Sequence, residues 1–280
     1  METTGRPKQD LSLNTDIVKR LLVDFLRDET RNAGFQKAVV GLSGGVDSAV
    51  VAYLCVEALG RENVRGVLMP YRTSSPQSKT DAELVVQKLG IASELVDISP
   101  MVDAYLAKVD GANRIRQGNI MARQRMIVLY DISSRDQSLV IGTSNKTETL
   151  LGYGTLFGDM ACALNPLGDL YKTQVWQLAA ALGVPEQIIQ KKPSADLWEG
   201  QTDEGELGLA YAQVDKLLYA MFDERRSETE LAALGFEEEF VRRVSRLVRL
   251  NQFKRRPPVI AKISHRTVNV DFRYPRDWGI

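Results

Sequence analysis

Histidine occurs once in this 280-residue chain, at His265, and cysteine twice, at Cys55 and Cys162. Two cysteines make no disulfide framework, and the composition suits a reducing compartment, which points to the cytoplasm. Neither charge is in excess: 36 Lys and Arg stand against 36 Asp and Glu. Nucleic-acid binders usually carry a basic surplus, because neutralising phosphates supplies most of their affinity. The balance therefore argues against a nucleic-acid partner and for a small ligand. No apolar run reaches the roughly 18 residues of a membrane span. The opening "METTGRPKQDLSLN" is polar and lacks the apolar stretch of a secretory signal. No internal repeat or low-complexity tract is present.

What remains is an ordinary globular composition, 44% hydrophobic and 26% charged. A chain of this length forms one large domain that buries roughly 75% of its unfolded surface. Apolar periodicity predicts an amphipathic helix over 14–33, with Ile17, Leu21, Leu22, Phe25 and Leu26 on one side. Strands are expected over 37–43, 64–70, 92–99 and 137–145, as continuous apolar runs. Helices are expected over 47–60, 75–90 and 119–134, the first two stopping at Gly60 and Gly90. Strands alternating with helices imply a doubly wound parallel sheet covered on both faces. Beyond about residue 172 the pattern is helical, with candidates at 172–183, 204–222, 227–234 and 237–253. Between them "KKPSADLWEGQTDEGELG" (191–208) reads as a long polar loop, the kind that serves as a lid. An extended tail is expected from about residue 254 to 280, the whole forming a single domain over 1–280.

In open parallel sheets, ligands bind beyond the carboxyl ends of the strands at the switch point. Three polar clusters fall there: Ser43–Ser48, Tyr71–Ser75 and Thr143–Glu148. The first follows an apolar block in "VVGLSGGVDSAVV" (39–51). A strand-to-helix turn aims backbone N–H groups and the positive helix end at one point, an anion site. Gly44 and Gly45 would let the backbone approach phosphate oxygens, and Ser43 and Ser48 could donate hydroxyls. Asp47 would repel a bare phosphate and suits Mg2+. The plainer reading is that Ser43 or Asp47 simply caps the helix. The lysine of the common phosphate loop is absent.

"SGGVDS" resembles the pyrophosphate-binding loop of the N-type ATP pyrophosphatases, a family with an adenine-nucleotide alpha-hydrolase-like (Rossmann-like) α/β fold. "GNIMARQRM" (118–126), "VIGTSNKTETLLGYGTLFGDMACALNPLGDLYKTQVW" (140–176), "KKPSADLWEGQTDEGELG" (191–208) and "NQFKRRPP" (251–258) together resemble NAD synthetase, in order over roughly 14–262. The resemblance implies ATP-dependent amidation of deamido-NAD by ammonia, through an adenylated intermediate, releasing AMP and pyrophosphate. It implies Mg2+, ATP as co-substrate and a homodimer. The nearest competing reading is another ATP pyrophosphatase amidating or adenylating a different acid, as in GMP synthetase. A nucleotide-binding regulator on the same fold is a third.

Carried onto this sequence, the resemblance assigns ATP contacts to Gly41, Leu42, Ser43, Gly44, Gly45, Val46, Asp47 and Ser48, and to Thr143, Lys172 and Ser194. Mg2+ ligands are Asp47 and Glu148, and catalytic roles fall on Asp47, Lys191 and Ser194. Arg123 and Lys254 match contacts to deamido-NAD. Each has a plainer reading: Thr143 as a helix cap, Glu148 as a first-turn acid, Lys172 and Lys191 as solvated lysines, Arg123 as a salt-bridged surface group, Lys254 as a helix-end charge. Lys192 competes with Lys191 by type. Leu156, Ala163 and Phe253 stand where one branch of the family has polar dinucleotide contacts, and Asp159 is a candidate replacement. The wording around 152–174 is closer to the synthetase half of glutamine-dependent enzymes. Cys55 lies in an apolar helix and Cys162 in a substrate loop, so neither suits a glutaminase. Free ammonia is the expected donor, with a separate glutaminase subunit as the alternative source.

Overall fold

The computed structural model describes residues 11–268 apart from 199 and 257. Its centre is a four-stranded sheet of β1 (Lys37–Gly41), β2 (Val64–Leu68), β3 (Ala92–Leu95) and β4 (Ser138–Ile141). The order is β3-β2-β1-β4 and every pairing is parallel, with Val40 level with Ile141 and Gly41 level with Val67. Chain order reverses between β1 and β4, which makes their carboxyl ends the switch point.

Alternation along β1 sends its side chains to two different cores. Ala38 and Val40 pack with α1 (Thr15–Asn32), α2 (Val46–Leu59), α3 (Pro76–Leu89) and α7 (Lys172–Leu182). Val39 packs on the other face with α4 (Ser99–Leu106) and α5 (Arg114–Asp136). Val39 and Val40 are fully buried, and each contributes about 1.5–3 kcal/mol by leaving water. A charge at either position would open a core. Helix α2 is apolar nearly all round because the sheet, α1 and α7 enclose it: Ala49, Val50, Val51, Ala52, Leu54 and Cys55 are buried. That enclosure fixes its N-terminus beyond the end of β1.

A third core holds most of the C-terminal helices. Between β4 and α7 lies α6 (Lys146–Leu151); after α7 come α8 (Glu186–Ile189), α9 (Asp203–Leu207), α10 (Tyr211–Leu218), α11 (Glu228–Ala233) and α12 (Glu238–Leu250). Helix α12 shows the amphipathic rule, with Val241, Val244 and Val248 buried and Arg242, Arg243, Arg246 and Arg249 outward.

Several expected spans are corrected. The third strand ends at Leu95, and Pro100 in the first turn opens α4, a helix not expected from the sequence. The fourth strand ends at Ile141, ahead of the polar loop. The single helix expected over 204–222 breaks at Gly208, whose left-handed φ of 62° ends α9. It resumes as α10 and closes in a π-helical turn, Tyr219–Asp223. Lys254 and Arg255 lie in a 3-10 turn, Gln252–Arg255; the part of the expected tail past 268 lies outside the described residues. Among the described residues, no helix is long and apolar enough to cross a membrane.

Candidate active site

A cavity of about 510 Å3 opens at the switch point, within the range of ligand sites. The loops after β1, β2 and β4 all reach it, through Ser43, Ser75 and Thr143 among others. The β1–α2 turn is built around Gly44. Its φ of +74° is left-handed, and a Cβ there would lie 2.1 Å from the Ser78 carbonyl oxygen of α3. Only glycine fits both demands. Gly44 therefore forms the turn while Gly45 and its neighbours line the cavity.

The plainer reading, in which Ser43 or Asp47 caps α2, does not hold. Gly45 occupies the capping position with extended backbone and no side-chain bond to the helix. Ser43 is turned back instead, its Oγ accepting from the Gly45 N–H at 3.2 Å. Ser48 Oγ donates to the Gly45 carbonyl at 3.0 Å and accepts from the Ser43 N–H at 3.2 Å. The hydroxyls brace the loop, and no side-chain oxygen caps the N-terminus of α2, which faces the cavity. That combination suits an anion.

Asp47, also in the cavity wall, belongs to a buried charge cluster. Lys172, at the start of α7, is 2% exposed and donates to Asp47 Oδ2 and, at 3.4 Å, to Glu148 Oε1. The reading of Lys172 as a solvated lysine is thus set aside. Asn145 Nδ2 donates to Asp47 Oδ1 at 3.0 Å. Asn145, not Thr143, caps α6: its side chain accepts from the Glu148 N–H while Glu148 Oε2 accepts from the Asn145 N–H. Glu148 is therefore both first-turn acid and cavity wall. Burial, opposed by Lys172 and helped by Asp47, raises its carboxyl above the usual carboxylate range. Burial alone would depress the Lys172 ammonium, but Asp47 and Glu148 reverse this and hold it above the usual range. Asp203, on α9, accepts from the hydroxyls of Tyr153 and Tyr211 at 3.0 and 3.1 Å, and burial raises it as well.

Asn145, Asp203 and Tyr153 were not among the residues singled out from sequence. "N-x-x-E" at 145–148 is a capping-box signature that marks α6; Asp203 carries no local signal, because the lid's path brings it in. Asp215, fully buried on α10, accepts from Thr147 Oγ1 at 2.6 Å and from the Thr173 N–H and Oγ1, each at 2.8 Å. It ties α6 to α7 and so fixes Glu148 against Lys172.

The lid segment reaches back over the mouth. Lys191 Nζ contacts Gly44 O, Ser78 Oγ and Asp81 Oδ2, and is buried more than a solvated lysine would be. Ser194 Oγ accepts from the Asp196 N–H at 3.1 Å. Asp196 accepts from the Ser75 N–H at 3.0 Å, latching the lid to the β2–α3 loop. Lys191, Lys192 and Ser194 all line the cavity.

At the far end, Lys254 Nζ donates to the carbonyls of Gly152 and Gly154 at 2.7 and 2.8 Å and lines the cavity; burial lowers its ammonium. Arg123 is exposed, outside the cavity wall, with its guanidinium on the Leu156 carbonyl at 3.2 Å. Arg125, two residues on, does line the cavity; it donates to the Met69 carbonyl at 3.1 Å and burial lowers its pKa. Asp159 lines the cavity and accepts from the Thr155 N–H at 2.8 Å. Leu156, Ala163 and Phe253 are not part of the wall, and Phe253 is 60% exposed.

Among the described residues, no three His, Cys, Asp or Glu groups come together as a metal cage. Asp47 and Glu148 offer two hard oxygen ligands, which fits Mg2+ only where phosphates and water complete the shell.

The model of the family described as NAD synthase matches residues 18–258. An NH(3)-dependent NAD(+) synthetase of Trichlorobacter lovleyi is 59% identical over 269 residues, covering 96% of this chain and 98% of the relative. Among solved structures, an NMN synthetase from Francisella tularensis superposes with a TM-score of 0.81 at 32% identity, covering 90% of this chain and all of the other. An NH3-dependent NAD synthetase from Campylobacter jejuni superposes with a TM-score of 0.78 at 34% identity, with the same coverage.

Proposed function

Because the chain belongs to the NAD synthase family, we propose that its cavity holds ATP and deamido-NAD together and joins them before ammonia enters. The chain is an enzyme, a carbon–nitrogen ligase: it amidates deamido-NAD to NAD with ATP and ammonia. The observation that carries the site assignment is the meeting of Asp47, Glu148 and Lys172 beside the side-chain-free N-terminus of α2.

The reaction must first make a poor acyl donor into a good one. A carboxylate oxygen of deamido-NAD attacks the α phosphorus of ATP, the bond to the β-phosphate oxygen breaks, and pyrophosphate leaves. Ammonia then attacks the carbonyl carbon, the C–O bond breaks, and AMP departs with that oxygen while the nitrogen loses a proton. In this reading the N–H groups opening α2, with Gly45 and Ser48, hold the phosphates. Thr143, at the end of β4, meets the nucleotide. Lys191 and Ser194 close over the phosphates, and Lys172 keeps two carboxylates side by side despite their repulsion. Asp47 and Glu148 would hold Mg2+, which would offset the charge on the phosphate oxygens. Arg123 and Lys254 hold the dinucleotide. Arg123 lies outside the cavity on an exposed face, so the proposal includes a homodimer in which a second copy completes that end. The reaction belongs in the cytoplasm, where Cys55 and Cys162 stay free. No glutaminase subunit enters this reading, since the similar relatives are named for ammonia.

A second reading comes from the Francisella tularensis NMN synthetase: the amidated acid could be a mononucleotide. Pyrophosphate release from ATP, measured with no acid, with deamido-NAD and with nicotinic acid mononucleotide, decides between them. The proposal expects release with deamido-NAD; release with the mononucleotide alone would overturn it.

A further inference from the structure

An ammonium has three donors, and those of Lys191 meet Asp81 Oδ2 at 2.9 Å, Ser78 Oγ at 3.1 Å and the Gly44 carbonyl at 3.2 Å. Two of these partners lie on α3 and the third in the phosphate-facing turn. Asp81 is 1% exposed and takes no part in the cavity wall. Its other oxygen accepts from Gln77 Nε2 of α3 at 2.8 Å and from Gln187 Nε2 of α8 at 2.9 Å. The carboxylate is thus clamped between α3 and the helix that leads into the lid, and its remaining oxygen is aimed at Lys191. Burial by itself would push this carboxyl up, but the bonds from Lys191, Gln77 and Gln187 outweigh it and hold it below the usual range. The platform is stiff, because Gly44 sits against the Ser78 backbone with no room for a Cβ.

Resting on the reading in which Lys191 meets the phosphates of ATP, we infer that Asp81 is a positioning residue that fixes the Lys191 ammonium over the β1–α2 turn before nucleotide arrives. The longest and only carbonyl-directed bond, to Gly44, is the one Lys191 yields to a phosphate oxygen. The charge-assisted bond to Asp81 is stronger and persists. A free lysine would lose its side-chain freedom on meeting phosphate; one already held has lost it, so ATP binds with less ordering left to do. If Asp81 instead competed with phosphate for Lys191, the sign would reverse and removing its charge would tighten ATP binding.

Steady-state kinetics of the full chain test this with Asp81→Asn, Lys191→Gln and the double variant. Asp81→Asn is expected to raise KM for ATP by about tenfold, the loss of one hydrogen bond to a charged group. KM for deamido-NAD should stay near its original value, and inhibition by added pyrophosphate should weaken. The double variant should be no worse than Lys191→Gln alone, since both changes remove one interaction. A lowered or unchanged KM for ATP, an equal rise for both substrates, or additive losses would overturn the inference. If Asp81→Asn does not fold, Gln187→Met, which removes one of the two amide bonds that clamp Asp81 without removing its charge, must still raise KM for ATP selectively; an unchanged value overturns it. If Lys191→Gln leaves KM for ATP untouched, the phosphate role of Lys191 falls and this inference with it. If Lys191→Gln raises it and Asp81→Asn does not, only the role of Asp81 falls.

Discussion

Lys172 donates to Asp47 across 125 positions of sequence, and that one bond fastens the N-terminus of α7 to the N-terminus of α2. The ammonium is buried, and Glu148 shares it. Removing either side of a buried pair leaves a charge without compensation, at a cost of about 3–5 kcal/mol. Lys172→Met is therefore expected to lower thermal stability and to stop pyrophosphate release. Calorimetry and a pyrophosphate assay check it; a variant with normal melting and turnover would remove Lys172 from the account.

Asp47→Asn and Glu148→Gln keep shape but remove the charge that would hold a cation at the phosphates. Each is expected to lose at least about 10²-fold in adenylation rate with a native circular dichroism spectrum. Near-normal rates at saturating Mg2+ would show the ligands to be misassigned.

Gly44→Ala tests the turn. With φ at +74° and the Ser78 carbonyl 2.1 Å from the added carbon, the substitution should cost about 2 kcal/mol or more and abolish ATP binding. Denaturant unfolding and calorimetric titration with ATP measure both; an unaffected variant would mean the turn does not contact phosphate.

Over residues 195–207, amide hydrogen exchange should slow when ATP and deamido-NAD are both present, because the segment borders the mouth and is latched through Asp196 to the Ser75 N–H. Asp196→Ala should speed exchange at Ser75. Exchange that ligands leave unchanged would argue against a lid.

The sheet was legible because β1, β2 and β4 are rich in β-branched and other apolar residues and the helices after β1 and β2 end at Gly60 and Gly90. The alternation implied a parallel sheet but not its strand order; the pairing of Asp47 with Glu148 was implied by the resemblance, and the β1–β4 pairing brings both to Lys172. Other features were not legible. The run "ASELVDIS" reads as one strand, but the regular strand ends at Leu95; Val96 N–H still donates to the Leu68 carbonyl at 2.8 Å and Ile98 N–H to that of Pro70 at 3.0 Å before α4 begins at Ser99. The role of Asn145 as cap was hidden behind Thr143, a residue of similar capping power. The burial of Lys172 depends on α10, which lies far along the chain and brings the Tyr211 ring to 5.4 Å from its ammonium; no local pattern reports such a contact.

The nitrogen donor gives a pH-dependent prediction. At fixed total ammonium, the free ammonia fraction grows with pH, so the rate should rise until another group titrates. Burial pushes the Cys55 thiol up to about 12, and the Cys162 thiol is also raised. A raised thiol pKa means less thiolate at pH 8, so Cys55 should resist alkylation in the folded protein. Cys55→Ala and Cys162→Ala should keep ammonia-dependent turnover. Steady NAD formation from ammonia-free glutamine by the isolated chain would contradict this assignment.

The central claim is that this cavity links the acid to AMP before nitrogen enters, and oxygen labelling tests it most directly. Deamido-NAD carrying 18O at both carboxylate oxygens is turned over with ATP and ammonia, and the AMP is analysed by mass spectrometry. The account predicts one 18O in each AMP, because the oxygen that attacked the α phosphorus leaves with it. Unlabelled AMP, or ADP and phosphate in place of AMP and pyrophosphate, would contradict it.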